Sequence, residues 1–154
     1  MKRNIILLFA TTLVVSSLAW ISYGFRYTAG TASDSFQTQQ ADPAAQKYPK
    51  GAQIYKEKCT PCHQATGLGI PNAFPPLKGS DYLMADKVRA VAQVLNGSNE
   101  PMKVNGITYT TPMPPQVNTK EDAVAVINYV LNAWGNNGGT VTPDQVKNIT
   151  IKPR

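Results

Sequence analysis

The sequence predicts an all-α fold: three to five short helices in one small domain, gathered around something larger than their own side chains, behind an N-terminal segment of membrane-spanning length. Three observations carry that prediction. Apolar residues recur at helical spacing in separate stretches, no stretch alternates convincingly as a strand would, and two loops rich in Pro and Gly are too long for so small a domain. Loops of that length need a reason inside a compact domain, and short helices bury little without help.

At the N-terminus, MKRNIILLFATTLVVSSLAWISYGF starts with Lys2 and Arg3 and then runs uncharged from Asn4 to Phe25, 22 positions, enough to cross a bilayer core as a helix. Positive charge before the run places the chain beyond Arg26 on the outside, so export is expected. Two fates fit residues 1–27. Trp20, Tyr23, Phe25, Arg26 and Tyr27 resemble an interfacial aromatic belt with a charged stop, the mark of an uncleaved signal anchor. Ser17, Leu18 and Ala19 offer the small residues of a cleavage site, which would release a soluble protein. No cysteine lies near the segment, which excludes a lipoprotein anchor. Residues 28–47 are small, polar and aperiodic and read as a flexible linker.

The domain is expected over residues 48–154. YPKGAQIYKEKC places Ala52, Tyr55 and Cys59 at helical spacing behind Pro49, a short helix leading into the cysteines. QATGLGIPNAFPPLKGS, with three glycines and three prolines, is irregular and wraps something. SDYLMADKVRAVAQVLNG reads as one or two helices, with Ser80 as cap, Gly97 as stop and Val88, Val91, Ala92 and Leu95 as a stripe. NEPMKVNGITYTTPMPPQ reads as irregular again. NTKEDAVAVINYVLNAWGNNGG is the clearest helix, with Thr119 as cap, Glu121 and Asp122 in the first turn, and Val124, Ile127, Val130, Leu131 and Trp134 as its apolar face. TPDQVKNITI adds a last turn. A large apolar cofactor between these helices would supply both a core and a reason for the loops.

Charge narrows the partners. Residues 48–154 carry 11 Lys and Arg against 7 Asp and Glu, a difference of +4, and the cations are scattered among acids. Without an Arg cluster or interleaved aromatics, nucleic-acid binding is not expected. A soft preference for acidic partner surfaces is.

CTPCH, Cys59 to His63, holds the only two cysteines and the only histidine of the chain. Zinc would want four N or S ligands, and the chain has no second cluster to complete them. A redox-active CxxC couple would be expected within a βαβ pattern, which is missing. A disulfide from Cys59 to Cys62 would close a tiny loop and leave His63 unexplained. The remaining reading is covalent haem attachment. Two thiols two residues apart can reach the two vinyl groups on one porphyrin edge as thioethers, and the adjacent histidine can then turn its imidazole onto the iron.

With Gly51, Tyr55, Cys59, Cys62 and His63 in this spacing, then FPPLKGS at 74–80, VNGITYTTPMPP at 104–115 and a C-terminal helix bearing Tyr129, the chain resembles the class I monohaem cytochromes c. It is most similar to the small membrane-tethered or fused domains that serve respiratory oxidases and nitrite or nitric oxide reductases. The resemblance covers about residues 48 to 149. It implies an all-α cytochrome c fold around one haem c, held through Cys59 and Cys62, in which the helix of Gly51 and Tyr55 crosses the C-terminal helix near Tyr129. It implies a carbonyl of Pro75 that accepts from the other ring N–H of His63, and a Leu77 that packs on the porphyrin. Tyr109 and Asn105 fall where contacts to the haem propionates arise, or else face water as loop residues.

His63 is the sole histidine, so the sixth ligand is expected to be methionine, which raises the reduction potential. Met113 is the first choice. Pro112, Pro114 and Pro115 restrict its backbone and lower the entropy lost in holding a sulfur on the iron, and it matches the distal Met-Pro motif of the family. Met84 sits in a helix and reads as packing, Met102 lies in a loop, and Met1 is in the export segment.

A His63/Met113 haem leaves no place for substrate, so the chain is expected to be an electron carrier rather than an enzyme. It would take electrons from a quinol-oxidising complex or a periplasmic dehydrogenase and pass them to a terminal oxidase or reductase. Its expected place is the periplasmic face of the cytoplasmic membrane, anchored, or the soluble periplasm if the signal is cleaved. Two alternatives stand beside this: a fixed haem subunit of a membrane oxidoreductase complex, and a five-coordinate haem enzyme or gas sensor.

Overall fold

A computed structural model describes residues 42–153. The expected membrane segment, residues 1–27, and the linker up to residue 41 lie outside the described residues. Among the described residues no helix is long and apolar enough to cross a membrane.

The helices are shorter and more numerous than the spacing suggests. Helix α1, Pro43–Lys47, is capped by the Asp42 carboxylate, which accepts from Ala44 N at 3.0 Å. Its Ala44 is buried in the core, so the end of the stretch read as linker is ordered helix. Helix α2, Pro49–Ile54, passes into a π-helical turn, Tyr55–Cys59, and then into α3, Thr60–His63, with Pro61 in its first turn. Helix α4, Asp81–Ala85, is capped by Ser80. Helix α5, Lys87–Asn96, is capped by Asp86 and ends at Gly97, with φ 75°. Asp86 thus splits into two what the apolar spacing leaves as one or two helices.

Helix α6, Lys120–Val130, starts at the Thr119 cap, whose hydroxyl accepts from Asp122 N at 3.1 Å. It ends four residues before Trp134. A short 3₁₀ turn, Ala133–Gly135, comes next, with Trp134 itself in the left-handed region at φ 55° and ψ 24°. The last helix, α7, is Pro143–Val146.

The expectation of irregular chain through residues 99–116 needs correction. Met102–Val104 (β1) and Ile107–Tyr109 (β2) pair antiparallel, with Val104 opposite Ile107. The reason is Asn105-Gly106 between them, at φ 50° and 85°, the two left-handed positions that a two-residue hairpin turn demands. The described body is therefore mainly helical with one small hairpin.

The core lies between α5 and α6. Val91 and Leu95 from the one, Val126 from the other, Leu131 just past its end, and Val146 of α7 are fully buried. Helix α2 packs on α6 at Gly51, where an added Cβ would stand 2.1 Å from the Ala125 carbonyl oxygen. Only glycine permits that approach. A salt bridge from Lys50 to Asp122, 2.7 Å, ties the same two helices at the surface.

Candidate haem-binding site

A cavity of about 330 Å³ opens between these elements, within the range of small-molecule and cofactor sites. Its walls gather residues that are far apart in sequence. Cys59, Cys62 and His63 line it from the π turn and α3, Pro75 and Leu77 from the loop after α3, Val94 from α5, Val126, Ile127 and Val130 from α6, and Met113 from the loop beyond the hairpin. Cys59, Cys62, His63, Pro75, Leu77 and Met113 thus meet at one cavity.

The cysteines stand as free thiols, Cys59 buried and Cys62 half-buried. Burial, with the neighbouring Cys62, pushes the Cys59 thiol up to about 11. A π-helical turn carries Cys59 toward α3, with Thr60 Oγ1 donating to the Tyr55 carbonyl at 3.2 Å. Such turns re-aim side chains that a regular helix would point elsewhere.

His63 Nδ1 lies 3.0 Å from the carbonyl oxygen of Pro75. A carbonyl only accepts, so Nδ1 carries the proton and the Nε2 lone pair is left for another partner. Burial lowers the pKa of the ring below its usual 6.5, against the opposing pull of the Pro75 hydrogen bond, and keeps the imidazole neutral. A neutral ring with one nitrogen engaged is the form that binds metal.

Met113 is held by its backbone. Its N–H donates to the Ser98 carbonyl and its carbonyl accepts from Ser98 N–H, both at 2.8 Å. Gly97 makes room for this, since a Cβ there would stand 2.5 Å from the Met113 carbonyl oxygen. Met102 also lines the cavity, from β1, whereas Met84 packs against the core near Gly138.

A polar edge on α4 and α5 interrupts the apolar lining, and the spacing of the sequence did not reveal it. Arg89, Tyr82 and Gln93 face the cavity from α4 and α5. The guanidinium stacks on the Tyr82 ring, 3.6 Å from its centroid, and donates to the Tyr82 carbonyl, while Gln93 Nε2 donates to the Tyr82 hydroxyl at 3.2 Å. Arg89 Nε is buried without a partner. The signal in the sequence was a polar pair four residues apart, Arg89 and Gln93, beside the apolar stripe of α5. Of the two residues expected near propionates, Tyr109 lines the cavity. Asn105 does not; it sits in the hairpin turn, where its side chain accepts from Asp81 N at 3.1 Å.

An apolar slot with paired thiols and a neutral imidazole at one wall, a thioether at another and an unpartnered guanidinium N–H on one edge fits a haem, a flat apolar ring with carboxylates on one side. Residues 48–134 match the model of the cytochrome c family, and the chain belongs to that family. Membership brings a covalently held c-type haem and the class I electron-transfer fold, and Cys59 and Cys62 are the only cysteines to hold it. Among its relatives is a cytochrome c-552 of Thermus thermophilus, 37% identical over 90 residues, which are 55% of this chain and 68% of the relative. Another is the cytochrome c subunit of a quinone alcohol dehydrogenase from Gluconobacter oxydans, 28% identical over 102 residues, which are 64% of this chain and 21% of that subunit. The match thus spans about a fifth of the dehydrogenase subunit's length.

Proposed function

We propose that the chain is a one-electron carrier in which His63 and Met113 take the two axial positions of the haem iron. The bound haem supplies reversible one-electron exchange and no site for substrate. What supports this reading is that both side chains line the cavity that the CTPCH cysteines face, His63 with only Nε2 unengaged and Met113 with its backbone pinned on both sides to Ser98. Pro75 fixes the imidazole, Leu77 and the aliphatic residues of α5 and α6 exclude water, and Arg89 offers a cation to the carboxylate edge. With His63 and Met113 both holding the iron, no position would be left for a substrate, which is why the reading is a carrier rather than an enzyme.

The Met113→Ala variant tests the ligand pair. The methionine-to-ferric charge-transfer band is expected to vanish, the ferrous protein to bind CO rapidly, and the potential to fall by on the order of 0.1 V. An unchanged band would sink the assignment.

The apolar run of residues 4–25 supports a membrane anchor, followed by a linker and an electron-transfer domain on the periplasmic side. A tether of this kind holds the domain at high effective concentration near a quinol-oxidising complex, a dehydrogenase, or a terminal oxidase or reductase. N-terminal sequencing of the mature protein and its partition into membranes check the anchor. Similarity to a dehydrogenase's cytochrome c subunit favours a second reading, a fixed subunit of an oxidoreductase complex. A stable stoichiometric complex in mild detergent would select it over the shuttle.

A further inference from the structure

The loop between His63 and Ser80 is clasped from outside by the turn that ends α6. Inside the loop, the Gly67 carbonyl accepts from both Leu77 N at 2.8 Å and Lys78 N at 2.9 Å, which closes a neck. Each side of that neck is then gripped separately. Trp134 Nε1 donates to the Ala65 carbonyl at 2.9 Å, and its ring lies so close over Gly67 that a Cβ there would stand 2.5 Å from it. Asn136 takes the other side: its Oδ1 accepts from Gly79 N at 2.8 Å and its Nδ2 donates to the Leu77 carbonyl at 3.0 Å. The same Nδ2 donates to the Val130 carbonyl at 2.8 Å, the last residue of α6. Pro75, whose carbonyl receives His63 Nδ1, sits two residues before Leu77 in this loop.

Trp134 holds this grip from a left-handed backbone conformation, φ 55° and ψ 24°, which an aromatic residue rarely adopts. Such strain persists only where the surroundings over-determine it, and it points to function when it does. Trp134 also packs against the core beside Tyr55 and Tyr129, but packing of the ring requires neither its Nε1 bond to Ala65 nor the three side-chain hydrogen bonds of Asn136.

We propose that Asn136 and Trp134 are positioning residues that set the hydrogen bond between His63 and Pro75 and, through it, the reduction potential. The inference rests on His63 being an axial ligand. An imidazole whose Nδ1–H is donated to a fixed carbonyl is a stronger electron donor to iron and favours the ferric state. Loosening the neck lets the Pro75 carbonyl drift, weakens that bond and favours the ferrous state.

The test is the midpoint potential of the full haem protein together with solvent exchange of the His63 Nδ1 proton, monitored by NMR in the ferrous form. Asn136→Ala is expected to move the equilibrium about threefold toward ferrous, about 28 mV at 59 mV per tenfold, and to speed that exchange at least tenfold. Asn136→Asp keeps an acceptor for Gly79 N and loses both donated bonds, so it should shift both readouts the same way by less. Thr119→Ala removes the cap at the far end of α6 and should lower the unfolding temperature without moving either readout. Should Asn136→Ala fail to fold, Asn136→Asp carries the test. A potential and an exchange rate equal to those of Thr119→Ala overturn the clasp and leave the ligation reading intact. A wild-type spectrum without histidine–methionine ligation overturns both.

Discussion

Gly51 and Gly106 show how much one missing methyl group decides, and for opposite reasons. At Gly51 the backbone is ordinary helix, but a Cβ would stand 2.1 Å from the Ala125 carbonyl oxygen, so α2 and α6 would have to part. Gly51→Ala is expected to lower the unfolding free energy by about 2 kcal/mol in denaturant titration, despite alanine's better helix propensity. At Gly106 nothing lies near the missing Cβ and only the φ of 85° resists a side chain. Gly106→Ala should cost about 1 kcal/mol, and Gly106→Asn less, because asparagine tolerates that region. At this scale the sequence spoke well where chemistry is rare. Two cysteines and one histidine in five positions leave few readings, and the prolines around Met113 single it out from Met84 and Met102. It was silent on Arg89, because no spacing rule says which side of α5 a lone cation beside an apolar stripe faces.

Among the elements, the hairpin was legible in principle: Asn105-Gly106 between Met102–Val104 and Ile107–Tyr109 is a strong short-range turn signal, obscured by the prolines on both sides. The end of α6 was not legible. Leu131 and Trp134 continue the apolar spacing, and only tertiary demand, the ring needed over Gly67, explains why the chain leaves the helix first. Helix α1 was hidden for a similar reason, since a five-residue helix has no period to read and is held by its contacts. One of those contacts is the Tyr129 hydroxyl, which donates to Asp42 Oδ2 at 2.8 Å. Burial raises the pKa of both Tyr55 and Tyr129 above the ordinary 10.0, and the bond to Asp42 adds to it at Tyr129. The folded state therefore disfavours tyrosinate, and stability present below pH 10 is lost as pH rises beyond it. Tyr129→Phe should cost about 1 kcal/mol at neutral pH and flatten that alkaline loss in unfolding titrations. On the acid side, the hydrogen bond from Lys50 holds the Asp122 carboxyl below its usual range, so its small contribution fades as pH falls under 3.8.

For the whole molecule, the decisive feature is that the core is incomplete without its cofactor. A cavity of about 330 Å³ lies among α3 and its loop, α5, α6 and the Met113 segment, all of which contribute to its walls. The sequence foresaw this in outline, through loops too long for the domain, although the volume and lining had to come from the fold. A Cys59→Ala, Cys62→Ala chain made without haem is therefore expected to lose cooperative unfolding and to bind a hydrophobic dye while keeping part of its far-UV helical signal. Equal cooperativity with and without haem would show that the helices need no occupant.

The burial of Cys59 also bears on the order of events during assembly. Its residue is only 8% exposed, set in the wall of the cavity beneath the turn that leads to His63. A chain that folded first would shut its own attachment sulfur away from any enzyme that joins thiol to vinyl. Attachment is therefore expected to run through an open chain, with the two thioethers made before folding closes over them; a compact haem-free chain that takes up haem covalently as fast as a denatured one would overturn that order.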